Sequence, residues 1–425
     1  MVYNSHNMKD MLGRDNVISV EKALQLLLDA LPAGAPREVN VETEESLGMV
    51  CARDVVAEED LPGFARSTVD GYAVAAADTF GAAETMPAYI KLLGAEILMG
   101  ERADFLLPRG AACGIPTGGM LPAGADAVVM FEYVQPVDAG MIEALRPVAP
   151  GDNVIQAGED VRKGETVISR GRRIRPQDMG ACAGIGITEV RCYERLTVSI
   201  ISTGDEIVPA SAAPEPGQVR DINSYVLSGM AAEAGCRPVR RGIFRDDYAA
   251  LRDVIEASMK DSDIIALSGG TSVGVKDMVA RIISDIGSPG VLFHGVSVKP
   301  GKPIIGGVIQ GIPIFGLPGH PAAVSVCFEL FIGPVIRRLS GVVESPLAPM
   351  ERMVKARLAR NVSSSAGREE HVRVLLEKRA DGLWAVPVLG KSGLISTLVK
   401  ADGVFVIPLN ANGVEQDETV EVRLF

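Results

Sequence analysis

The 425-residue chain has few aromatic residues, no excess of positive charge and no long apolar run. Its formal net charge of −12 excludes a general binder of nucleic acid or of an anionic membrane, since both require a basic surface. The apolar segment VSVCFELFIGPVI is interrupted by Glu329 and is too short to span a bilayer. The N-terminal residues are polar and include acids, unlike a secretory signal. We therefore expect a cytoplasmic protein.

Cysteine and histidine are also sparse. Six cysteines and four histidines are spread along the chain, and no two cysteines form a CxxC pair. This spacing favours reduced thiols over a disulfide framework. It also argues against a structural zinc site, which needs clustered cysteine or histidine ligands.

The sequence pattern changes near Arg191. Before it, a helix predicted over SVEKALQLLLDAL, with Ser19 as its N-cap, is followed by short β-like pieces and many turns. After it, strands such as RLTVSIIS and DIIALSGG alternate with helices, which predicts a parallel sheet covered by helices on both faces. From about residue 345 short strands return, which predicts a small C-terminal β domain.

Four loops lie at the predicted carboxyl edge of that sheet, where ligands of such folds bind: STGDE, FRDD, SGGTSVGVKD and VKPGKP. The third loop allows three interpretations. It matches the GxSxG elbow of serine hydrolases, with Ser272 as nucleophile. Its glycines can instead cradle a phosphate against the following helix, or it is only a tight turn. It is not a P-loop, because Val275-Lys276-Asp277 replaces the GK[ST] ending.

Acidic residues are concentrated on the same loops, namely Asp205, Glu206, Asp221, Asp246, Asp247 and Asp277. Each can be structural, and Asp246 in particular is placed to cap the next helix, as Asp277 can cap another. Held together, they would repel one another unless a cation joined them. Mg²⁺ suits such a place, since it accepts one or two carboxylates together with substrate phosphates. The spacing leaves both interpretations open.

The VKPGKP loop supplies the opposite charge. Lys299 and Lys302 are each followed by proline, which restricts the backbone around them. Lysine is a compact point charge that suits oxyanions. The alternative is a solvated turn.

Taken in order, these loops resemble those of the molybdopterin molybdenumtransferase family, MoeA, which includes the E domain of gephyrin. The matching motifs cover nearly the whole chain: RSTVDGYAV (66–74), IPTGGMLPAGADAVV (115–129), AGEDVRKGE (157–165), ISTGDEIV (201–208), GQVRDINS (217–224), LSGGTSVGVKD (267–277), VKPGKP (298–303) and GLPGHP (316–321).

The resemblance implies a multidomain fold of the α/β plus β class. A central three-layer α/β domain with a mostly parallel sheet (MogA-like, as in the adenylyltransferase of the same pathway) would be flanked by β-rich domains and followed by a small C-terminal β-barrel-like domain. The implied domain bounds are 1–66 with 149–190, 67–148, 191–340 and 341–425.

The implied activity is insertion of molybdenum from molybdate into molybdopterin-AMP, with release of AMP and with Mg²⁺ or another divalent cation as cofactor. The implied partners are a second copy of the chain in a homodimer, the molybdopterin adenylyltransferase, and apo-molybdoenzymes or their chaperones.

The same motifs imply site residues. Catalytic roles would fall to Glu206, Asp246, Asp277 and Asp70, and the first three of these would also hold the metal. Substrate or nucleotide contacts would come from Thr117, Ser268, Gly269, Gly270 and Ser272. Molybdate would be bound by Lys299, Lys302, Arg373 and Ser392.

Four positions depart from the family pattern, and one of them is Thr271 in SGGTS, where valine or alanine is commoner. Gly295 stands where the family often has lysine, His320 where it usually has asparagine, and Ala323 where serine is common. They fall on the oxyanion side of the expected site and leave tungstate open as an alternative to molybdate. Two further functions also stay open: the adenylyltransferase itself, which consumes ATP, and a scaffold that binds the pterin without turnover.

Overall fold

The computed structural model describes residues 17–34, 36–269, 273–343 and 352–425, and at residues 95 and 273–276 it describes the backbone alone. The predicted contacts Gly270 and Ser272 therefore lie outside the described residues. The described α-helices are Val20–Ala30, Pro176–Gly184, Asn223–Glu233, Tyr248–Ser258, Val273–Ile286, Pro321–Cys327, Gly333–Leu339 and Ser396–Val399. None of the helices in these ranges is both long and apolar enough to cross a membrane.

Local sequence explains where several helices begin. The predicted N-cap Ser19 is confirmed, since its hydroxyl accepts a hydrogen bond from Lys22 N at 3.2 Å at the start of Val20–Ala30. A π-helical turn, Phe328–Ile332, joins Pro321–Cys327 to Gly333–Leu339, so the long apolar helix expected after GLPGHP is present but contains a wide turn. The 3₁₀ turns are Thr43–Glu45, Ala76–Thr79 and Phe131–Tyr133.

Two predicted helix caps were wrong. The helix Tyr248–Ser258 is capped by Asp247, whose Oδ1 accepts from Ala250 N at 2.9 Å. Asp246 lies one residue too early to cap it, and its Oδ1 instead accepts from Thr203 Oγ1 at 2.7 Å. Asp277 lies inside the helix Val273–Ile286 and cannot cap it. Both acids are therefore free of a capping role.

The segment before residue 194 is rich in β-structure. A three-stranded sheet has the order Glu38–Glu42, Glu189–Tyr193, Val50–Cys51. A six-stranded sheet has the order Ala127–Met130, Gly71–Val74, Ala111–Ile115, Ala88–Glu96, Met141–Ala144, Val134–Asp138. Two short ribbons pair Val154–Ile155 with Arg66–Ser67, and Thr166–Ile168 with Val55–Val56.

The central sheet has the strand order Arg237–Phe244, Thr197–Thr203, Ile264–Gly269, Ile312–Leu317, Ile305–Ile309, Pro289–His294. Its strands run parallel except Ile305–Ile309, which runs against its neighbours. A short parallel ribbon, Ile207–Val208 with Val219–Arg220, lies beside it.

Helices cover both faces of this sheet, as the buried strand runs predicted. Ile200 and Ile201, successive residues of a fully buried strand, point to opposite cores. The Ile200 core includes Leu27 and Leu227 from two helices, and the Ile201 core includes Ile255 from a third. Complete burial of each such side chain contributes about 1.5–3 kcal/mol.

The C-terminal strands close into a barrel. Around it run Glu369–Arg379, Gly382–Pro387, Met353–Leu358, Thr419–Leu424 and Gly403–Ile407, and the last of these pairs again with the first. Val298–Lys299 joins the outside of this sheet, and Val362–Ser363 pairs with Gly413–Val414. The expected fold class is confirmed: a multidomain α/β plus β chain with a small barrel near the C-terminus.

All six cysteines are buried and unpaired. Cys51, Cys182 and Cys192 lie in the core below the three-stranded sheet, and Cys113 lies in a core of the neighbouring six-stranded sheet. The remaining two, Cys236 and Cys327, belong to the α/β core.

Candidate active site

Two neighbouring strands of the central sheet end in close contact at its carboxyl edge. Gly269 pairs with Thr203, and its φ is +141°. A Cβ added at Gly269 would lie 1.6 Å from the Thr203 carbonyl oxygen, so only glycine fits. Ser268, the preceding predicted contact, is buried beneath this edge and accepts a hydrogen bond from Asn223 Nδ2 at 2.9 Å.

Three carboxylates follow the three adjacent strands at this edge, and we call Glu206, Asp246 and Asp277 the acid edge. Each is partly exposed. Asp246 is held by Thr203, and the Glu206 carboxylate lies over Gly204, where an added Cβ would meet Oε2 at 2.7 Å. Asp277 Oδ1 is buried and has no hydrogen-bond partner within the described residues.

The acid edge supplies only some of the ligands that a divalent cation needs. No group of three His, Cys, Asp or Glu residues in the described ranges could by itself hold a metal ion. The orphaned oxygen of Asp277 is nevertheless a hard donor, of the kind that Mg²⁺ takes from protein. Because Mg²⁺ binds one or two carboxylates and completes its shell with water and substrate phosphate, Asp277 and Asp246 fit a substrate-borne ion.

A second site, which we call the cation pocket, lies between the α/β unit and the barrel and has a volume of about 620 Å³. The loops 298–303 and 318–320 line one side, and barrel residues 361–373 and 388–392 contribute to the other. It brings together all four residues expected to bind molybdate: Lys299, Lys302, Arg373 and Ser392. Sequence reasoning missed three further charged residues of its lining: Arg368, Glu370 and Lys391.

Strand pairing builds one wall of the cation pocket. Val298–Lys299 runs parallel to the barrel strand Glu369–Arg379, with Lys299 opposite Glu370. The Lys299 ammonium lies 2.6 Å from Glu370 Oε1, so this lysine already has a carboxylate partner. Within the described residues Lys302 forms no such ion pair. The loop is therefore attached to the barrel through Val298–Lys299, while the Lys299 and Lys302 side chains remain exposed.

Arg373 is buried in the same wall, with 8% of its surface exposed. Its Nη2 donates to the Gly390 carbonyl oxygen at 3.4 Å, while Nε has no partner among the described residues. Burial lowers the pKa of this guanidinium, because the charged form loses water. A buried cation without a counter-charge is a binding group for an anion.

A second, histidine-bearing loop, 318–320, also lines the pocket. His320 is exposed, and its Nδ1 lies 2.8 Å from Ser392 Oγ. The expected oxyanion residue Ser392 is thus engaged by the residue that replaces the family asparagine. Gly301, at the turn of VKPGKP, has φ +123° and packs so closely on Cys327 that an added Cβ would lie 2.9 Å from Sγ.

Asn223 connects the two sites. Its Nδ2 donates both to Ser268 Oγ and to the Gly319 carbonyl oxygen, each at 2.9 Å. Ser268 is the penultimate residue of the strand beneath the acid edge, and Gly319 lines the cation pocket. Asn223 therefore links the two sites through one side chain.

Asp70 and Thr117 form a separate, exposed pair in the six-stranded β unit. The backbone N–H and the hydroxyl of Thr117 both donate to Asp70 Oδ1, at 2.8 and 3.1 Å. Neither residue lines the cation pocket.

Sequence models of known protein families match most of the chain. The sequence model of the MoeA N-terminal region (domain I and II) matches residues 18–186, that of the probable molybdopterin binding domain matches 199–338, and that of the MoeA C-terminal region (domain IV) matches 355–425. The chain belongs to the MoeA family.

Individual MoeA relatives agree along nearly the full length. A Methanocaldococcus jannaschii protein named for molybdopterin biosynthesis is 36% identical over 393 residues, 90% of this chain and 91% of its own. The molybdopterin molybdenumtransferase of Bacillus subtilis is 31% identical and covers 97% of this chain and 95% of its own. The crystal structure of the molybdopterin biosynthesis MoeA protein from Pyrococcus horikoshii OT3 aligns with a TM-score of 0.82 at 31% identity, covering 96% of this chain and 100% of the other.

Proposed function

We propose that this protein is a molybdopterin molybdenumtransferase, which inserts molybdenum from molybdate into molybdopterin-AMP and releases AMP. The cation pocket carries the proposal. Its described lining contains five lysines and arginines, namely Lys299, Lys302, Arg368, Arg373 and Lys391, and one carboxylate, Glu370. In a chain whose net charge is −12, this local excess of cations supports binding of a small dianion such as molybdate.

The acid edge is the place that we assign to adenylate cleavage. A water oxygen forms a new bond to phosphorus, the bond from phosphorus to the AMP oxygen breaks, and the water proton passes to a carboxylate. Asp246 suits this role because Thr203 holds one of its oxygens and so orients the other. When bound, Mg²⁺ neutralises charge on the phosphate oxygens, and Asp277 and Asp246 are the residues that would hold it.

We further propose that the active form is a cytoplasmic homodimer. Asp70 and Thr117 are already positioned by their mutual hydrogen bonds, yet they belong to a β unit that does not line the cation pocket. Placement of this pair against the acid edge of a second copy would complete the cleft. The adenylyltransferase would deliver the substrate and an apo-molybdoenzyme or its chaperone would receive the product.

The direct test is AMP release from molybdopterin-AMP by the full chain. We expect release that requires both molybdate and a divalent cation, measured by chromatography, and activation of an apo-molybdoenzyme when that enzyme is added. Parallel reactions with tungstate determine the choice of metal. Failure to release AMP with all components present would refute the proposal, and consumption of ATP with molybdopterin would identify the adenylyltransferase instead.

A further inference from the structure

His371 is a buried histidine that the MoeA motifs do not include. It lies on the barrel strand Glu369–Arg379, is 5% exposed and lines the cation pocket between Glu370 and Arg373. Its Nε2 lies 2.8 Å from Glu369 Oε1. Its Nδ1 is buried and, within the described residues, has no hydrogen-bond partner.

The contact with Glu369 determines which ring nitrogen carries hydrogen. An ionised carboxylate offers only acceptor oxygens, so Nε2 must donate, and in the neutral ring Nδ1 is then an unprotonated acceptor. A tetrahedral dianion in the pocket also offers only acceptors. The neutral ring and a bound dianion therefore repel one another at close range, unless the ring gains a proton at Nδ1.

Charged side chains on the neighbouring elements surround the ring. On its own strand the ring is flanked by Glu369, Glu370 and Arg373, and the opposing residue of Gly403–Ile407 is the uncharged Val406. The adjoining strand contributes Lys299, and the remaining titratable lining residues are Lys302, His320, Arg368 and Lys391. A dianion in the pocket offsets these cations and supplies an acceptor for a hydrogen on Nδ1.

We propose that His371 is a further oxyanion-binding residue, which takes up one proton as a tetrahedral dianion enters the cation pocket and then donates a hydrogen bond from Nδ1. The proposal rests on the proposed function, because it assumes that this pocket binds the oxyanion. The proton comes from solvent, since molybdate and tungstate are fully deprotonated near neutral pH.

Proton uptake makes oxyanion affinity depend on pH. Where the ring is neutral in the free protein and charged in the complex, each unit of rising pH weakens binding by about tenfold. A pocket that used only lysine and arginine would lack this dependence near neutral pH, because both stay charged there.

The test is calorimetry of sodium molybdate or sodium tungstate binding to the full chain, near pH 7, in buffers of different ionisation enthalpy. The slope of observed binding enthalpy against buffer ionisation enthalpy gives the number of protons exchanged. For the unmodified chain we expect uptake of a large fraction of one proton. In His371→Gln we expect weaker binding with uptake near zero.

Two further variants separate this role from a structural one. In Glu369→Gln the neutral ring can carry its hydrogen on Nδ1, so proton uptake should fall while binding at alkaline pH becomes tighter than in the unmodified chain. In His320→Asn, which alters the exposed histidine of the same pocket, proton uptake should be retained. These readouts do not depend on the stability of the His371 variant.

The possible results are distinct. Oxyanion binding without proton uptake in the unmodified chain would overturn the role of His371, and so would unchanged uptake in both His371→Gln and Glu369→Gln. Absence of any oxyanion binding would instead refute the pocket assignment on which the proposed function stands.

Discussion

Arg373 keeps a charge inside the protein without a carboxylate to balance it among the described residues, and burial lowers its pKa. Such a buried charge destabilises the free protein, and only the binding of an anion offsets this loss of stability. We therefore predict that Arg373→Gln leaves the ligand-free Tm equal or higher. The same change should weaken molybdate binding roughly 10- to 100-fold, because a charge-assisted hydrogen bond is lost.

Thermal unfolding with and without molybdate measures both effects. At 100 times Kd, the ligand should stabilise the unmodified chain by about 2.7 kcal/mol, and at the same concentration the Arg373→Gln variant should show much less. Arg379→Gln is the matched control, because Arg379 lies on the same strand but is exposed and pairs with the partly exposed Glu377. Equal stabilisation of all three proteins would show that Arg373 does not bind the anion.

Glu370, in contrast to Arg373, should weaken molybdate binding. It is the one carboxylate among the described residues of the pocket. Its Oε1 lies 2.6 Å from the Lys299 ammonium and balances that charge. Glu370→Gln keeps a hydrogen-bonding side chain but removes the negative charge. We predict molybdate binding roughly 3- to 10-fold tighter, because Lys299 becomes fully available to the anion. Titration calorimetry at fixed pH measures this, and a weaker complex would mean that the ion pair positions Lys299 rather than competing for it.

At the scale of single elements, Asp246 and Asp247 are adjacent acids with separate tasks. Asp247 caps the helix Tyr248–Ser258, while Asp246 accepts from Thr203 at the end of the neighbouring strand. We predict that Asp247→Ala shifts urea unfolding to lower concentration, at a cost of about 1 kcal/mol, with AMP release preserved. Asp246→Asn should abolish AMP release with little change in unfolding. Similar effects of the two changes on AMP release would contradict this division.

Strands and helices were the predictable part of this protein. The buried run RLTVSIIS and its helical neighbours predicted a sheet covered on both faces, because residues buried on both sides of a strand cannot alternate with polar ones. Helix caps were less certain: two acids in succession, Asp246 and Asp247, both suit a cap, and only the backbone geometry selects the second.

The site was predictable in its residue types but not in its grouping. Lysines between prolines pointed to an oxyanion, yet nothing in VKPGKP indicates that Lys299 pairs with Glu370, some 70 residues further on. Contacts that depend on long-range packing, such as Asn223 bridging Ser268 and Gly319, leave no local signal. The same holds for His371, whose sequence neighbours do not reveal its burial.

For the molecule as a whole, the proposed dimer makes a complementation test available. Asp70→Asn and Asp246→Asn are each expected to be inactive alone. If the cleft combines Asp70 of one subunit with Asp246 of the other, a mixed dimer contains one intact cleft. Random exchange of the two variants should then restore about a quarter of the unmodified activity.

Analytical ultracentrifugation of the unmodified chain is the necessary companion measurement. A monomeric chain that is fully active would refute the shared cleft. Exchange of subunits without recovery of activity would show that Asp70 and Asp246 serve the same subunit. Activity of Asp70→Asn on its own would show that Asp70 has no role in the reaction.

The buried cysteines give each unit of the chain except the barrel a chemical reporter. Thiolate is the form that reacts with alkylating reagents, and burial raises the pKa of Cys113 to about 11 and that of Cys236 to about 12. Labelling of the native chain must therefore wait for a local opening. The labelling rate of Cys113 would report the opening of its β unit. The rates of Cys182 and Cys236 would report the opening of the neighbouring β unit and of the α/β unit. Since the sequence has no cysteine after Cys327, cysteine labelling would not detect opening of the barrel. Mass spectrometry of the labelled peptides would thus show, without any engineered probe, which unit of the chain loosens first.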